Sequence, residues 1–414
     1  MPKAIYICYF GLREPLVQTQ VIPYLLEICK DRIEMTLLTF DPVRDGEPEE
    51  FEVMRADLAA KGIDWHWLPY HKRPSVIATA YDIFRGACSV WRLIGRERID
   101  ILHCRIHIPA LMAAIARKFS RRKPKLLFDI RGFFPEEYTD AGVWPEGGWL
   151  YRTAKRVEKW LLKEADGFVV LTEKAREILF PESAETGVDK FNRPVKVIPC
   201  CIDAKRFDTT EKFDRETIRC ELNIDDKRVF VYVGSFGGWY LTAEMIDFLS
   251  VVHRRYENAF SMILTQRDTE KAENLLLKAG LPKKDFSVES LTPDKVPRVL
   301  KAADVAISFI KKCYSKQAAS PTKIAEYLAG GLPIVSNSGV GDLDALIEGE
   351  RVGVILHGFS EQDYQTALAD IESILQNKQL PEHCRNIAHK YFDLETVGGE
   401  SYRRLYRQIL SESE

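Results

Sequence analysis

The chain has 414 residues, 46% of them hydrophobic and 29% charged. At roughly 150 residues per domain that is room for two domains with full-sized cores, and it excludes a disordered or rod-like protein. Lys and Arg number 59 against 61 Asp and Glu, a formal charge of −2, so no global basic field points to nucleic acid and any anionic partner must be held locally.

Short apolar runs of strand type alternate with segments of helical period along the whole length. The first half offers strands at 4–10, 35–40, 99–104, 125–129, 167–171 and 195–199, with amphipathic stretches such as 21–30 and 108–119 between them. The aromatic run Trp65, Trp67 and Tyr70, interleaved with His66 and Leu68, reads as one face of a buried strand. After Pro199 the alternation restarts at 229–233, 261–265, 286–289, 305–309, 333–336 and 352–356. Such alternation is the mark of parallel sheets covered by helices, and the restart predicts two doubly wound α/β domains. Their expected limits are 1–199 and 200–388, followed by a closing helical segment at 389–414 whose Tyr402, Leu405, Tyr406 and Ile409 fall at helical spacing and could pack on either domain. The first 200 residues carry a net +3 and the remainder −5.

The nine cysteines are an odd number without C-x-x-C spacing, and apart from the adjacent Cys200 and Cys201 they are scattered. This predicts reduced thiols in the cytoplasm rather than a disulfide framework or a zinc site. His103 and His107 are four apart but have no evident third ligand, so no metal is expected. The apolar stretch at 4–10 is too short for a signal or anchor, and no run of eighteen apolar residues predicts a membrane span.

The most informative stretch is Ser320-Pro321-Thr322-Lys323-Ile324-Ala325-Glu326, closed by Gly330-Gly331-Leu332-Pro333. Ser320 suits an N-cap and Pro321 the first helical position, so a helix is expected to start there. Free N–H groups at that end form an anion site, and Lys323, a cation where a helix favours acids, points to a bound phosphate. Glu326 lies four residues after Thr322 on the same face, where its carboxylate can accept hydrogen bonds from vicinal hydroxyls such as those of a ribose. Phosphate and ribose one turn apart describe a nucleotide; an ordinary helix with surface Lys and Glu is the competing explanation. No G-x-G-x-x-G follows the first strand and no G-x-x-x-x-G-K-[ST] is present, which disfavours a dehydrogenase and a P-loop enzyme.

This stretch resembles the donor-binding region of family 4 (group 1) glycosyltransferases, enzymes of the GT-B fold with two Rossmann-like domains, including members acting in bacterial surface polysaccharide assembly. Four further segments are similar to that family: the first loop from Gly11-Leu12-Arg13 to Pro23, Asp129-Ile130-Arg131-Gly132-Phe133, Val197-Ile198-Pro199 followed by Ile202-Asp203 and Phe207, and the stretch from Tyr232 to Trp239. The resemblance implies a retaining transfer of a hexosyl or N-acetylhexosaminyl group from a nucleotide-diphosphate sugar to a glycan or lipid-linked hydroxyl, without metal or cofactor. Three positions depart from the family pattern. Ala318 stands where a Glu is common, Arg131 where a His is frequent, and Gly234-Ser235-Phe236-Gly237-Gly238-Trp239-Tyr240 is a loop without the usual cations.

Expected donor contacts are therefore Gly11, Arg13, Gly234, Ser235, Gly237, Gly238, Lys316, Ser320, Thr322, Lys323 and Glu326, with Lys316, Lys323, the helix start at Thr322 and Arg13 available to stabilise the developing leaving-group charge; the expected catalytic residues are Arg131, on the donor sugar or its phosphate, Lys323, and Glu326, on the ribose. Arg105 and Arg131 each follow a strand and are expected to look into a cleft, Arg105 towards the acceptor, with a structural salt bridge as the competitor for both. Glu136 and Glu137 fall in a loop similar to the family's acceptor side. A basic cluster, Arg117, Lys118, Arg121, Arg122, Lys123 and Lys125, with Arg85, Arg92, Arg96 and Arg98 upstream, would suit an anionic membrane surface, or is simply a solvated helix end. The rival functions are a non-catalytic nucleotide-sugar-binding subunit of an assembly complex and a nucleotide-sugar epimerase.

Overall fold

The computed structural model describes residues 1–42, 48–73, 75–208 and 214–411. The chain divides into two compact units, Met1–Pro199 joined by Leu394–Glu414, and Cys200–Asp393. The first unit holds strands β1 (Lys3–Cys8), β2 (Glu34–Asp41), β3 (Ile63–Pro69), β4 (Ile101–Arg105), β5 (Lys125–Ile130), β6 (Gly167–Val170) and β7 (Val195–Val197). They form one parallel sheet in the order β3-β2-β1-β4-β5-β6-β7. Central strands such as β4 (ILHCR) are buried at every position, the pattern of a sheet covered on both faces.

The second unit repeats the plan with β8 (Arg228–Val233), β9 (Ala259–Leu264), β10 (Phe286–Glu289), β11 (Val305–Ser308), β12 (Ile334–Asn337) and β13 (Gly353–Leu356), ordered β10-β9-β8-β11-β12-β13 and parallel throughout. In both sheets the order reverses beside the first strand, at β1/β4 and at β8/β11. Connections there leave to opposite sides, opening a crevice at the carboxyl ends.

Two predicted strands overrun the observed carboxyl ends by two residues. The run at 4–10 ends at Cys8 because Tyr9 turns away to donate its hydroxyl to Asp82 at 2.7 Å. The run at 195–199 ends at Val197, and Pro199, which has no N–H for a ladder, accepts a bond from the Tyr24 hydroxyl instead. Trp65 is buried in β3 with its indole N–H on Thr39, whereas Tyr70 lies beyond the strand and is exposed, so the predicted aromatic face does not extend to it.

The C-terminal segment returns to the first unit at Leu394, after the helix Leu380–Phe392 has closed the second, rather than at 389. Its helix Glu400–Ser411 buries Tyr402, Leu405, Tyr406 and Ile409. The Tyr406 hydroxyl lies 2.8 Å from His103 Nδ1, the Tyr402 hydroxyl donates to Asp129 Oδ2 at 3.0 Å, and Ile409 fills the space a side chain at Gly167 would need. The Tyr402→Phe substitution removes a hydrogen bond to a buried carboxylate and is expected to destabilise the first unit by about 1.5–3 kcal/mol, measurable by chemical denaturation. Among the described residues no helix is long and apolar enough to cross a membrane.

Candidate functional site

At the carboxyl ends of β8 and β11 the chain builds a cationic, aromatic-lined site. The loop after β8 begins at Gly234, whose φ of +143° only glycine adopts freely. The loop is fastened to the segment after β11: Tyr240 bridges to Ile310, Leu241 N–H donates to the Phe309 carbonyl and Lys311 N–H to that of Trp239. The helix Thr322–Ala329 is pinned above both strands by Tyr327, whose hydroxyl accepts from Val233 N–H at 2.7 Å and donates to the Ile307 carbonyl at 3.2 Å.

That pin fixes Lys323. Its Nζ stands 4.3 Å from the centre of the Tyr232 ring and 3.9 Å from that of Tyr240, with the residue 7% exposed. Among the described residues Nζ has no hydrogen-bond partner. Burial lowers the Lys323 pKa to about 7, and Glu326 opposes this only in part. Ring faces stabilise a desolvated cation by about 2 kcal/mol, less than a buried charge needs; an anion would supply the remainder. Lys316 is placed in the same manner, its Nζ 3.8 Å from the centre of a Trp239 ring. The loop that lacks cations of its own thus receives them from two other segments, held on its own aromatic residues.

Glu326, one turn along, is pushed up to about 7 by burial, with Arg206 and Lys323 pulling the other way. Arg206 also donates to the Pro293 carbonyl at 2.6 Å. A side chain at Gly234 would place its Cβ 2.6 Å from Lys323 Nζ. Gly234→Ala is therefore expected to displace Lys323 and weaken binding of a phosphate ligand roughly five- to tenfold, read by calorimetry, while far-ultraviolet dichroism stays unchanged.

Ser320 does not cap the helix. Pro321 occupies the N-cap position, without a side-chain cap bond, and the Ser320 hydroxyl accepts from Cys200 N–H at 3.1 Å. A residue before proline is held in extended conformation, which keeps Ser320 off the helix end. Thr322 becomes the first helical residue.

Gly234, Ser235, Gly237, Gly238, Lys316, Thr322, Lys323 and Glu326 thus belong to one sheet edge. Gly237 and Gly238 have φ of +92° and +64°, and Ser235 contributes its carbonyl to the Tyr232 hydroxyl. The remaining candidates lie in the first unit. Gly11 is needed where Asp41 approaches: a Cβ there would lie 2.8 Å from its Oδ1, which accepts from Leu12 N–H. Arg13 pairs with Glu50 at 3.1 Å and lies over Phe51.

Arg105 and Arg131 are built into a buried cluster rather than an open edge. Arg105 Nη1 reaches the Tyr6 hydroxyl at 3.5 Å, and the Arg131 side chain, 4% exposed, lies 3.8 Å from Asp129 and over the Tyr24 ring. Burial alone would raise the Asp129 carboxyl, but Arg131, His103 and Arg105 hold it at about 2. Glu136 is also buried, accepting from Lys155 at 2.9 Å and the Tyr151 hydroxyl at 3.1 Å, while Glu137 packs beside Gly132. His103 and His107 serve different partners, Tyr406 with Asp129 and Glu158 respectively.

Sequence reasoning missed Tyr232, Trp239 and Tyr240 as supports for the lysines, and Arg206 as the neighbour of Glu326. The available signal was three aromatic residues bracketing a glycine-rich loop after a strand.

Residues 19–186 match the model of a glycosyl transferase 4-like domain and residues 214–391 that of glycosyl transferases group 1. No curated protein matches the chain in sequence. Among solved structures, a glycosyltransferase from Rickettsia africae is similar at 14% identity and a TM-score of 0.71, covering 99% of this chain and 98% of that one. Anabaena HepE in complex with UDP and glucose is similar at 16% identity and 0.65, covering 98% and 100%. WaaG, a glycosyltransferase involved in lipopolysaccharide biosynthesis, is similar at 15% identity and 0.63, covering 97% and 99%. With two such domains in this order on two parallel-sheet units of the GT-B fold, the chain belongs to the group 1 glycosyltransferases.

Proposed function

We propose that the protein moves a hexosyl or N-acetylhexosaminyl group from a nucleotide-diphosphate sugar to a hydroxyl of a glycan or lipid-linked acceptor, with retention and without a metal. The observation that carries this reading is Lys323, whose buried Nζ lies between two ring faces with no hydrogen-bond partner among the described residues, one helical turn from Glu326. A diphosphate supplies the missing anion, and a ribose the hydroxyls for the carboxylate. Likeness to HepE, whose structure holds UDP and glucose, supports a nucleotide-sugar donor. Retention and the acceptor class rest on the family resemblance, and a cytoplasmic site of action on the odd number of cysteines without C-x-x-C spacing. Lys316, Lys323 and the start of the helix hold the leaving diphosphate. Buried as they are, Arg105, Arg131 and Glu136 shape the edge of the first sheet, the acceptor side. The basic cluster around Lys118 and Arg121 gives that unit a peripheral contact with an anionic membrane.

A thermal-shift panel of UDP-, GDP-, ADP- and TDP-sugars, with and without chelator, tests the donor assignment. One nucleotide class is expected to stabilise the protein by several degrees regardless of chelator; absence of any shift across the panel refutes the donor site. Turnover of the stabilising donor with a cell-envelope lipid extract then separates a transferase from a binding subunit.

A further inference from the structure

The helix Ser75–Glu97 packs one face into the first unit through Ala78, Gly86, Ala87, Val90, Leu93 and Ile94. Its opposite face is ordinarily the polar one. Here that face carries Ile77, Tyr81, Phe84 and Trp91, spaced by four, three and seven residues, all exposed, with Ile77 at 70% and Phe84 at 67%. These side chains make a stripe roughly 21 Å long at 1.5 Å per residue. Phe119, 76% exposed at the end of the neighbouring helix His107–Phe119, extends it, and the Trp91 indole N–H donates to the Phe119 carbonyl at 3.3 Å.

Among the described residues the exposed charges beside the stripe are of one sign. Arg92, Arg96, Lys118 and Arg121 are exposed beside it, and Arg85 lies over the Tyr81 ring. Both carboxylates of the helix are already engaged. Asp82 is buried, accepting from Tyr9 and His71, and Glu97 pairs with Arg96. An apolar face rich in aromatic residues, rimmed among the described residues by cations, is the signature of a helix lying in the plane of a bilayer interface. A protein partner would call for a rim of mixed sign, and a purely electrostatic contact would need no stripe.

We infer that this helix face inserts into the headgroup region of an anionic bilayer, with Phe84, Trp91 and Phe119 as its anchors. The inference rests on the peripheral contact proposed above and adds to it a hydrophobic element and a docking orientation for the first unit.

The test uses the full chain with vesicles of phosphatidylcholine alone or mixed with phosphatidylglycerol. Wild type is expected to bind the anionic vesicles about tenfold or more tightly than the neutral ones, and brominated acyl chains are expected to quench its tryptophan fluorescence. The Phe84→Ser/Trp91→Ser variant is expected to lose about tenfold or more of that binding and the quenching, at unchanged melting temperature and donor-induced shift. Vesicle binding that this variant retains, but that Arg92→Glu/Arg121→Glu abolishes, would overturn insertion while leaving the electrostatic contact. No vesicle binding by wild type would overturn both. A dimer in light scattering that Phe84→Ser/Trp91→Ser dissociates would assign the stripe to a second copy of the chain and refute the membrane.

Discussion

Replacing Lys323 by Met is expected to weaken binding of the nucleotide donor by roughly 10²–10³-fold and to raise the melting temperature of the ligand-free protein. The two effects have one cause. Lys323 Nζ is desolvated between Tyr232 and Tyr240 without a hydrogen-bond partner among the described residues, so in the empty site the charge costs stability that only an anion recovers. Because burial lowers its pKa from 10.5 to about 7, the unfolded chain binds the proton more tightly than the folded one between these values. The penalty is therefore present in full below pH 7 and relieved as pH rises towards 10.5. The gain in melting temperature of Lys323→Met over wild type should be large at pH 6 and shrink by pH 9. Methionine matches the aliphatic stem, so packing is conserved. A variant that keeps its donor affinity would remove the cation from the site.

Glu326→Gln separates ribose from phosphate. A carboxylate accepting from vicinal hydroxyls contributes about 1.5–3 kcal/mol, so nucleoside diphosphate affinity should fall roughly 10- to 100-fold. Inorganic pyrophosphate, which lacks the hydroxyls, should bind within about twofold of wild type. Titration calorimetry reads both, and an equal loss for the two ligands would place Glu326 on the phosphates or in the fold. The pH dependence has the opposite sign to that of the lysine. Burial raises Glu326 from 4.5 to about 7, so the folded state holds the proton more tightly and stability from this group is lost as pH rises from 4.5 through 7. Glu326→Gln removes that decline. Together the pair gives the empty wild-type site its greatest cost near neutral pH.

What could be read from the sequence was local or periodic. Thr322, Lys323 and Glu326 fall within five residues of one helix, so their grouping needs no knowledge of the fold. Strands such as β8 and β11 show as short apolar runs that need no knowledge of the partner strand. What escaped depends on distant pairs. The aromatic seats of Lys316 and Lys323 come from 232–240, some eighty residues earlier. The burial of Arg131 depends on a carboxylate two residues away and on Tyr24, and that carboxylate is itself held by Tyr402 near the other end of the chain. A strand-end arginine looks the same in sequence whether it faces a ligand or a buried Asp. Ser320 misled for a local reason: the serine–proline pair reads equally as cap plus first turn or as an extended residue before a proline cap.

The position of Tyr402, Tyr406 and Ile409 in the first unit sets an order on biosynthesis. The sheet begun by residue 3 has its first five strands complete by residue 130, yet His103 and Asp129 keep an open side until the helix Glu400–Ser411 has been made, after all of 200–393. A nascent chain folding in the direction of synthesis can finish the second unit first. The unit begun by residue 3 is therefore completed only after the unit of 200–393 has been made.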